Sequence, residues 1–293
     1  MKSTKNIELI LSPPEPHFVG DGFRVHNFIP GGYRADMERM NPFILLDYGA
    51  KFYFPPSDRP MGVGVHPHRG FETVTIAYKG RVAHHDSAGN SGVIGSGDVQ
   101  WMTAASGILH NEYHEKEFSK EGGELHMVQL WVNLPARFKM SAPKYQGITN
   151  DQISKFKLDD NDGIVEIIAG EYKNVKGTAT TFSPINLFNV KLNNNSKADF
   201  SFPAKYNTAL LVIEGHIIIN NTEEVAADHF ALFQNEGETF NIQTDDGAVV
   251  LVMSGENLNE PIAAHGPFVM NTRREILQAF EDFNKGRFGT LKD

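Results

Sequence analysis

The sequence contains no cysteine, and this absence removes several classes of protein at once. Without thiols there is no disulfide framework, no zinc finger, no thiolate cluster and no cysteine nucleophile. Any metal in this chain must therefore be bound by histidine, aspartate or glutamate. The twelve histidines become the first residues to map.

Long apolar runs and basic runs are also missing. The longest apolar stretches, Ala209–Ile213 and Ala248–Met253, are far shorter than the roughly 20 residues of a membrane-spanning helix. Lys and Arg number 27 against 36 Asp and Glu, which gives a net charge of −9 and no basic patch for a phosphate backbone. The stretch Ile7–Leu11 is too short for a signal-peptide core. We therefore expect no membrane span, no direct nucleic-acid binding and a cytoplasmic protein, which would also be nuclear in a eukaryote.

Short β-rich runs that end in turn residues cover most of the chain. Thr73–Tyr78 precedes a Lys-Gly pair, and Leu210–Ile213 precedes the pair Glu214-Gly215. The segments Asp86–Gly92 and Asn220–Thr222 contain Gly and Asn, which tolerate positive φ in hairpin turns. Many short strands at even spacing are typical of a β-sandwich or β-barrel, so the sequence predicts an all-β fold.

The apolar periodicity is interrupted between Asn133 and Gly147, where Pro, Lys and turn residues accumulate. This interruption predicts two β domains of similar size, residues 1–135 and 136–293.

One helix is predicted near the C-terminus, over residues 272–285. Thr272 and Glu275 have the spacing of a capping box, and Gly286 supplies a stop signal. The predicted apolar face consists of Ile276, Leu277, Phe280 and Phe283. We expect this helix to cover a sheet.

Two pairs of metal-binding side chains stand out. His66 and His68 are two residues apart, so in a β-strand they share a face about 7 Å apart along the backbone. His110 and Glu112 repeat that spacing. If the two strands are neighbours, three imidazoles and one carboxylate converge, a donor set that suits Fe, Mn, Cu, Ni or Zn. A single His-x-His pair is more often an ordinary surface or core pair, but two such pairs in one strand-rich region favour a metal site.

The remaining histidines are mostly interpreted as structural. Four of them could line the cavity of the metal site: His84, His85, His114 and His126.

These motifs resemble those of the pirin family within the cupin superfamily. The matching blocks are His66–Thr75, Gly97–Thr103, Gly107–Glu112, Gln129–Pro135 and Gly266–Asn271. The resemblance implies an all-β fold of two tandem cupin domains, each a jelly-roll β-barrel, with a C-terminal α-helix. It also implies a metal, usually iron, in the N-terminal domain. Matched onto this sequence, the ligands of that metal are His66, His68, His110 and Glu112.

The carboxylate ligand has an alternative. In other cupins the first motif carries a glutamate ligand in the slot that Thr73 occupies here. Glu72 is its neighbour, and strand parity places Glu72 on the face of His66 and His68 unless Gly70 makes a bulge. The pirin pattern favours Glu112, and Glu72 remains the second candidate.

The second half of the chain repeats the pattern without its ligands. Counting from matched glycine and aspartate positions places other residues at the four ligand positions: Ser201, Pro203, Phe240 and Ile242. None of these side chains is a usual metal ligand, so we expect a structural C-terminal domain without a metal.

The resemblance implies quercetin 2,3-dioxygenase activity. In this interpretation Fe(II), or else Mn, Cu, Ni or Zn, activates dioxygen against a flavonol-type aromatic substrate, and Glu112 accepts the hydroxyl proton of the substrate. The alternative is an iron- or redox-sensing regulator that binds a protein partner without turnover. Both hypotheses use the same four residues.

Overall fold

The computed structural model describes residues 3–159 and 162–292. The strands before Asn150 are β1 (Ile7–Leu11), β2 (His17–Val19), β3 (Phe23–Ile29), β4 (Phe43–Phe54), β5 (Gly62–His68), β6 (Phe71–Lys79), β7 (Val82–Asp86), β8 (Ser91–Ile94), β9 (Val99–Thr103), β10 (Ile108–His114), β11 (Gly123–Asn133) and β12 (Lys144–Ile148). The later strands are β13 (Ser154–Lys157), β14 (Gly163–Ala169), β15 (Glu171–Tyr172), β16 (Val175–Lys176), β17 (Ile185–Ser201), β18 (Asn207–Ile219), β19 (Glu223–Ala226), β20 (Phe230–Phe233), β21 (Thr239–Gly255), β22 (Ala263–His265) and β23 (Phe268–Met270). The helices are α1 (Met37–Met40), α2 (Lys116–Glu121), a 3₁₀ turn at Ala136–Phe138, and α3 (Arg273–Asn284).

The chain forms two compact units, and neither is one continuous segment. The first unit consists of Glu15–Pro30, Phe43–Asn150 and the chain from Leu258 onward. The second unit consists of the chain up to Pro14, Gly31–Pro42 and Asp151–Asn257.

These units differ from the predicted domains 1–135 and 136–293. β1 pairs with β20, so the N-terminal strand is part of the second unit. β12 pairs with β9, so the first unit continues past the predicted boundary. Phe268, in the C-terminal part of the chain, forms a parallel bridge with Arg69, and the chain from Leu258 onward is part of the first unit. Long-range strand pairing, which local composition does not reveal, decides each of these assignments.

Two large antiparallel sheets form most of the described part of the first unit, and β22 and β23 pair as a separate two-stranded sheet. One has seven strands in the order β12-β9-β6-β11-β4-β3-β2, and the other has four in the order β5-β10-β7-β8. Apolar side chains from both sheets form a shared core, including Phe23 and Met127 from the larger sheet and Val82 and Ile94 from the smaller one. The all-β prediction is confirmed.

The second unit contains one eight-stranded sheet. Its two longest strands, β17 and β21, each have 17 residues and pair with each other along most of their length. The core is rich in phenylalanine, and five rings pack in one group: Phe188, Phe200, Phe202, Phe233 and Phe240. Among residues 3–159 and 162–292, no helix combines the length and hydrophobicity that a membrane span requires.

The predicted turns have mixed outcomes. Asp86–Gly92 includes the loop of the β7–β8 hairpin, as predicted. Asn220 and Asn221 join β18 to β19 with φ of 51° and 62°, which confirms the positive-φ turn. The turn predicted at Glu214-Gly215 is wrong, because β18 continues through it with an irregular register against β21.

The C-terminal helix α3 begins and ends as predicted, but its apolar face was partly wrong. Thr272 and Glu275 form both hydrogen bonds of the capping box. The buried residues are Ile276, Ala279 and Asp282, whereas Leu277 and Phe283 are 59 % and 37 % exposed. Successive helix residues differ by roughly 100° around the axis, so Leu277 lies well to the side of the buried stripe.

A buried ion pair joins α3 to the turn between β5 and β6. Arg69 Nη1 lies 2.9 Å from Asp282 Oδ2, and the two side chains are only 4 % and 8 % exposed. Arg69 Nε also donates to the Ser106 carbonyl at 2.7 Å, and its guanidinium lies 4.7 Å from the centre of the Phe288 ring. A buried charge depends on such partners, because its desolvation is otherwise uncompensated.

The residues after α3 contact the start of β10. The Ser87 hydroxyl donates to the Phe288 carbonyl and accepts a hydrogen bond from the Leu109 backbone N–H at 3.0 Å. The Phe288 ring lies directly against Gly107, where a Cβ would come within 2.5 Å of the ring. The C-terminal segment thus contacts the chain beside both β5 and β10.

The substitution Asp282→Ala should lower the free energy of unfolding of the first unit by about 3 kcal/mol, because it leaves the Arg69 charge buried without its carboxylate. Both tryptophans, Trp101 and Trp131, belong to the first unit, so urea denaturation followed by tryptophan fluorescence reports on it directly.

The matched control is Glu281→Ala on the same helix. Glu281 is 61 % exposed and pairs with the exposed Lys285, so its loss should cost no more than about 0.5 kcal/mol. Equal effects of the two substitutions would contradict a stabilising role for the buried pair.

Candidate metal centre

The pairing of β5 with β10 brings three imidazoles together. His110 lies directly opposite His66, and Ile108 lies opposite His68. The ring centroids of His66 and His110 are 4.3 Å apart, and the His68 ring is 4.8 Å from each of the other two. One ring nitrogen from each histidine lies within 4.8 Å of those of the others. The structure therefore places the three predicted histidines around one point.

The protonation of these rings suits metal binding. Burial, together with the neighbouring imidazoles, holds the pKa of His68 and of His110 well below the ordinary histidine value. His66 Nδ1 lies 2.8 Å from the Gly64 carbonyl oxygen, which can only accept, so Nδ1 carries a proton and Nε2 is the nitrogen left for a metal. Neutral imidazoles with available lone pairs are the form that binds a metal.

Several of the buried ring nitrogens lack a partner. Among residues 3–159 and 162–292, three such atoms of this cluster have no hydrogen-bond partner: both ring nitrogens of His110 and Nδ1 of His68. A buried polar atom without a partner costs about 1–3 kcal/mol, and a metal ion would satisfy one lone pair on each ring. These three residues fit a transition metal.

Glu112 is two residues from His110 on β10, so the two side chains share a face, and a bulge in the neighbouring strand β5 adjusts the residues opposite them. Between the pairs His110–His66 and Glu112–Val63, β10 has one residue and β5 has two. Val63 and His66 are three residues apart and would face opposite sides of a regular strand. The extra residue changes the direction of the neighbouring side chains, so both line the cavity with Glu112. As a metal ligand Glu112 stays a prediction.

Two side chains of the opposite sheet hold the Glu112 carboxylate. Gln129 Nε2 donates to both oxygens, at 2.9 and 3.2 Å, and the Thr75 hydroxyl lies 3.5 Å from Oε1. Burial raises the pKa of Glu112, while the Gln129 hydrogen bonds and His66 oppose that rise.

Glu72, the alternative carboxylate, lies elsewhere. The turn at Gly70, with φ of +92°, places His68 and Glu72 on strands of different sheets. Glu72 is three residues before Thr75 on β6, so the two side chains lie on opposite faces. Its Oε1 accepts a hydrogen bond from the Thr103 hydroxyl at 2.7 Å, and burial raises its pKa to about 7. Glu72 does not line the cavity.

The four other candidate histidines do not line the cavity either. His84 stacks on Tyr145 with ring centroids 4.8 Å apart, and His85 is exposed. His114 Nε2 pairs with the Gly22 carbonyl at 2.7 Å, and His126 Nε2 with the Tyr48 hydroxyl at 2.9 Å.

The cavity beside the imidazoles has a volume of about 310 Å³. Its wall is mainly apolar: Val19, Phe23, Val25, Val63, Met127, Trp131 and Pro267. Asp47 and Gln129 add polar groups that the sequence reasoning missed. The sequence contains one indication of their role: each is a polar residue within a mostly apolar strand, Asp47 in β4 and Gln129 in β11.

The second unit has a similar strand pairing with phenylalanine in place of histidine. Phe200 of β17 lies opposite Phe240 of β21, with ring centroids 5.1 Å apart. Ile242 is fully buried in the same core. Counting along the sequence matched Ser201 to His66 and Phe240 to His110. In the structure the residue opposite Phe240 is Phe200 and not Ser201. Counting residues cannot detect bulges, which shift the register of paired strands.

Substituting Glu72→Gln should change how stability depends on pH. The pKa of Glu72 is about 7 in the fold, above its value of about 4.3 in an unfolded chain. Glu72 therefore contributes a loss of stability as pH rises from 5 to 8, of up to about 3 kcal/mol, and the variant lacks this contribution. Urea unfolding at both pH values measures it.

The control for this substitution is Glu117→Gln, in which the replaced carboxylate is 57 % exposed. It should leave the difference between pH 5 and pH 8 as in the wild type. The same pH dependence in Glu72→Gln and the wild type would contradict the assignment.

Comparison with known proteins shows the family. The Pirin family model matches residues 22–132, and the model described as the Pirin C-terminal cupin domain matches residues 187–289. A Pseudomonas aeruginosa protein named "Putative quercetin 2,3-dioxygenase" is 46% identical over 272 residues, which cover 93% of this chain and 94% of that protein. Pirin of Homo sapiens is 34% identical over 296 residues, 99% of this chain and 96% of its own length.

A solved structure agrees with these sequence matches. The crystal structure of quercetin 2,3-dioxygenase from Acinetobacter baumannii is similar with a TM-score of 0.92 at 45% identity, over 98% of this chain and 99% of that chain. The predicted fold of two cupin domains with a C-terminal helix is confirmed. The chain belongs to the pirin family.

Proposed function

We propose that this protein is a metal-dependent dioxygenase that acts on a flavonol-type aromatic substrate, as a quercetin 2,3-dioxygenase does. The observation that carries the proposal is the cluster of three imidazoles beside a carboxylate on an apolar cavity. Relatives that carry the quercetin 2,3-dioxygenase name support the choice of substrate class.

The proposed metal ligands are His66, His68, His110 and Glu112. Fe(II) is the proposed ion, with Mn, Cu, Ni and Zn as alternatives that the same donor set accommodates. The bound metal would supply Lewis-acid and redox chemistry toward dioxygen and the substrate.

The protein's own side chains bind and orient the substrate. A volume of about 310 Å³ lies at the lower end of the roughly 300–1,000 Å³ of ligand pockets, so the cavity favours a compact ligand. Trp131 and Phe23 give it aromatic walls against which a flat ring can pack.

Glu112 is the proposed catalytic base. Its pKa is raised by burial, which makes the carboxylate a better acceptor for the hydroxyl proton of the substrate. The two hydrogen bonds from Gln129 fix its orientation.

The substitution His110→Ala should lower the metal content of purified protein from near one ion per chain to a small fraction. One of three converging nitrogen donors is lost, and the affinity should fall by more than about tenfold. Elemental analysis and Fe(II) titration measure this effect. His85→Ala, which removes an exposed histidine from β7, is the control and should retain the metal. Full metal content in the His110 variant would refute the site.

Iron-loaded protein should consume oxygen and a flavonol in equimolar amounts, measured with an oxygen electrode and by loss of flavonol absorbance. Glu112→Gln removes the proposed base, so kcat should fall by at least about 100-fold. A full complement of iron without oxygen uptake across a panel of flavonols would overturn the dioxygenase. That result would favour the iron- or redox-sensing regulator, which uses the same four residues.

A further inference from the structure

A row of polar side chains crosses the inner face of the seven-stranded sheet. Thr75 of β6 lies opposite Gln129 of β11, Gln129 lies opposite Asp47 of β4, and Asp47 lies opposite Asn27 of β3. Residues directly opposite each other in a sheet share a face, so these four side chains form one continuous line, here called the polar row.

The polar row leads from the metal centre along the cavity. At one end Thr75 and Gln129 contact the Glu112 carboxylate. Gln129 and Asp47 both line the cavity, whereas the residues two positions from Gln129 on β11 are the apolar Met127 and Trp131. A single polar line in an apolar wall gives the cavity a defined polar side.

Asp47 is the member of the polar row with unused hydrogen-bonding capacity. Asn27 donates to Asp47 Oδ1 at 2.7 Å and to the Ile29 carbonyl at 3.0 Å, which fixes the amide. Within the described part of the chain this is the only side-chain hydrogen bond of Asp47, so Oδ2 keeps its lone pairs. Asp47 is one of the residues that line the cavity. Oδ2 is not one of the fully buried side-chain atoms that lack a partner, so it is accessible to a ligand group in the cavity.

We propose that Asp47 binds a hydroxyl group of the substrate, and that it selects aromatic ligands carrying a second hydroxyl besides the one that faces Glu112. This inference rests on the proposed function, since it concerns the same cavity. Gln129 contacts the Glu112 carboxylate and lies directly opposite Asp47, so one flat ligand lying along the row can reach both carboxyl groups. Burial raises the pKa of Asp47, which strengthens it as an acceptor for a hydroxyl proton.

The test compares two ligands without turnover. Iron-loaded protein is titrated without oxygen against quercetin, which carries several hydroxyls, and against 3-hydroxyflavone, which carries one. Quenching of Trp131, which lines the cavity, reports binding. Asp47→Asn should weaken quercetin binding at least about tenfold and leave 3-hydroxyflavone unchanged, because a site built for a hydroxyl loses its acceptor.

Two further variants complete the design. Asp47→Ser removes the carboxylate with a smaller side chain and should give the same selective loss, which protects the test if the asparagine variant does not fold. Asp58→Asn replaces an exposed aspartate of the first unit and should behave as the wild type. Metal content and urea unfolding establish that each variant is folded and loaded.

The outcomes separate the two proposals. Equal weakening of both ligands, or no weakening of either, would refute the role of Asp47 even if oxygen uptake is normal. Selective weakening in a protein that consumes no oxygen would support Asp47 and overturn the dioxygenase. Failure of the wild-type protein to bind either flavonol would refute both.

Discussion

The antiparallel pairing of β5 with β10 is the interaction on which the metal centre depends. It sets His110 opposite His66, and a slip of one residue would turn every side chain of one strand to the other face. The bulge in β5 brings Val63 and His66 to the same cavity. The Gly64 carbonyl in this bulge also contacts His66 Nδ1, so one backbone irregularity influences both the direction of the ring and the nitrogen that it leaves for a metal.

The two units show how similar strand pairing can support different chemistry. Where the first unit pairs His66 with His110, the second pairs Phe200 with Phe240 in a core of aromatic rings. Phenylalanine stabilises that core by burial and ring packing alone. In the first unit the paired positions hold imidazoles with unpartnered nitrogens, a cost that apolar packing and the polar contacts around Glu112 must offset.

Part of this site could be predicted from the sequence, because strands project alternate residues to one face. That period of two is enough to group His66 with His68. It could not separate Glu72 from Glu112, since the turn at Gly70 starts a new strand in another sheet. The sequence did not predict Asp47 as a cavity residue, because the members of the polar row lie on four different strands and become neighbours only when these strands pair. Leu277 was wrongly predicted to be buried, because a helical pattern does not show which face of the helix packs against the rest of the protein.

The contacts of the C-terminal segment determine when, during synthesis, the first unit can complete its structure. The strands that carry the histidines are synthesised well before Asp282 and Phe288, which hold Arg69 and Ser87 beside those strands. The first unit can therefore complete its contacts only after the intervening second-unit segment Asp151–Asn257 has been made. A chain that stops short of Asp282 lacks the carboxylate that pairs with Arg69.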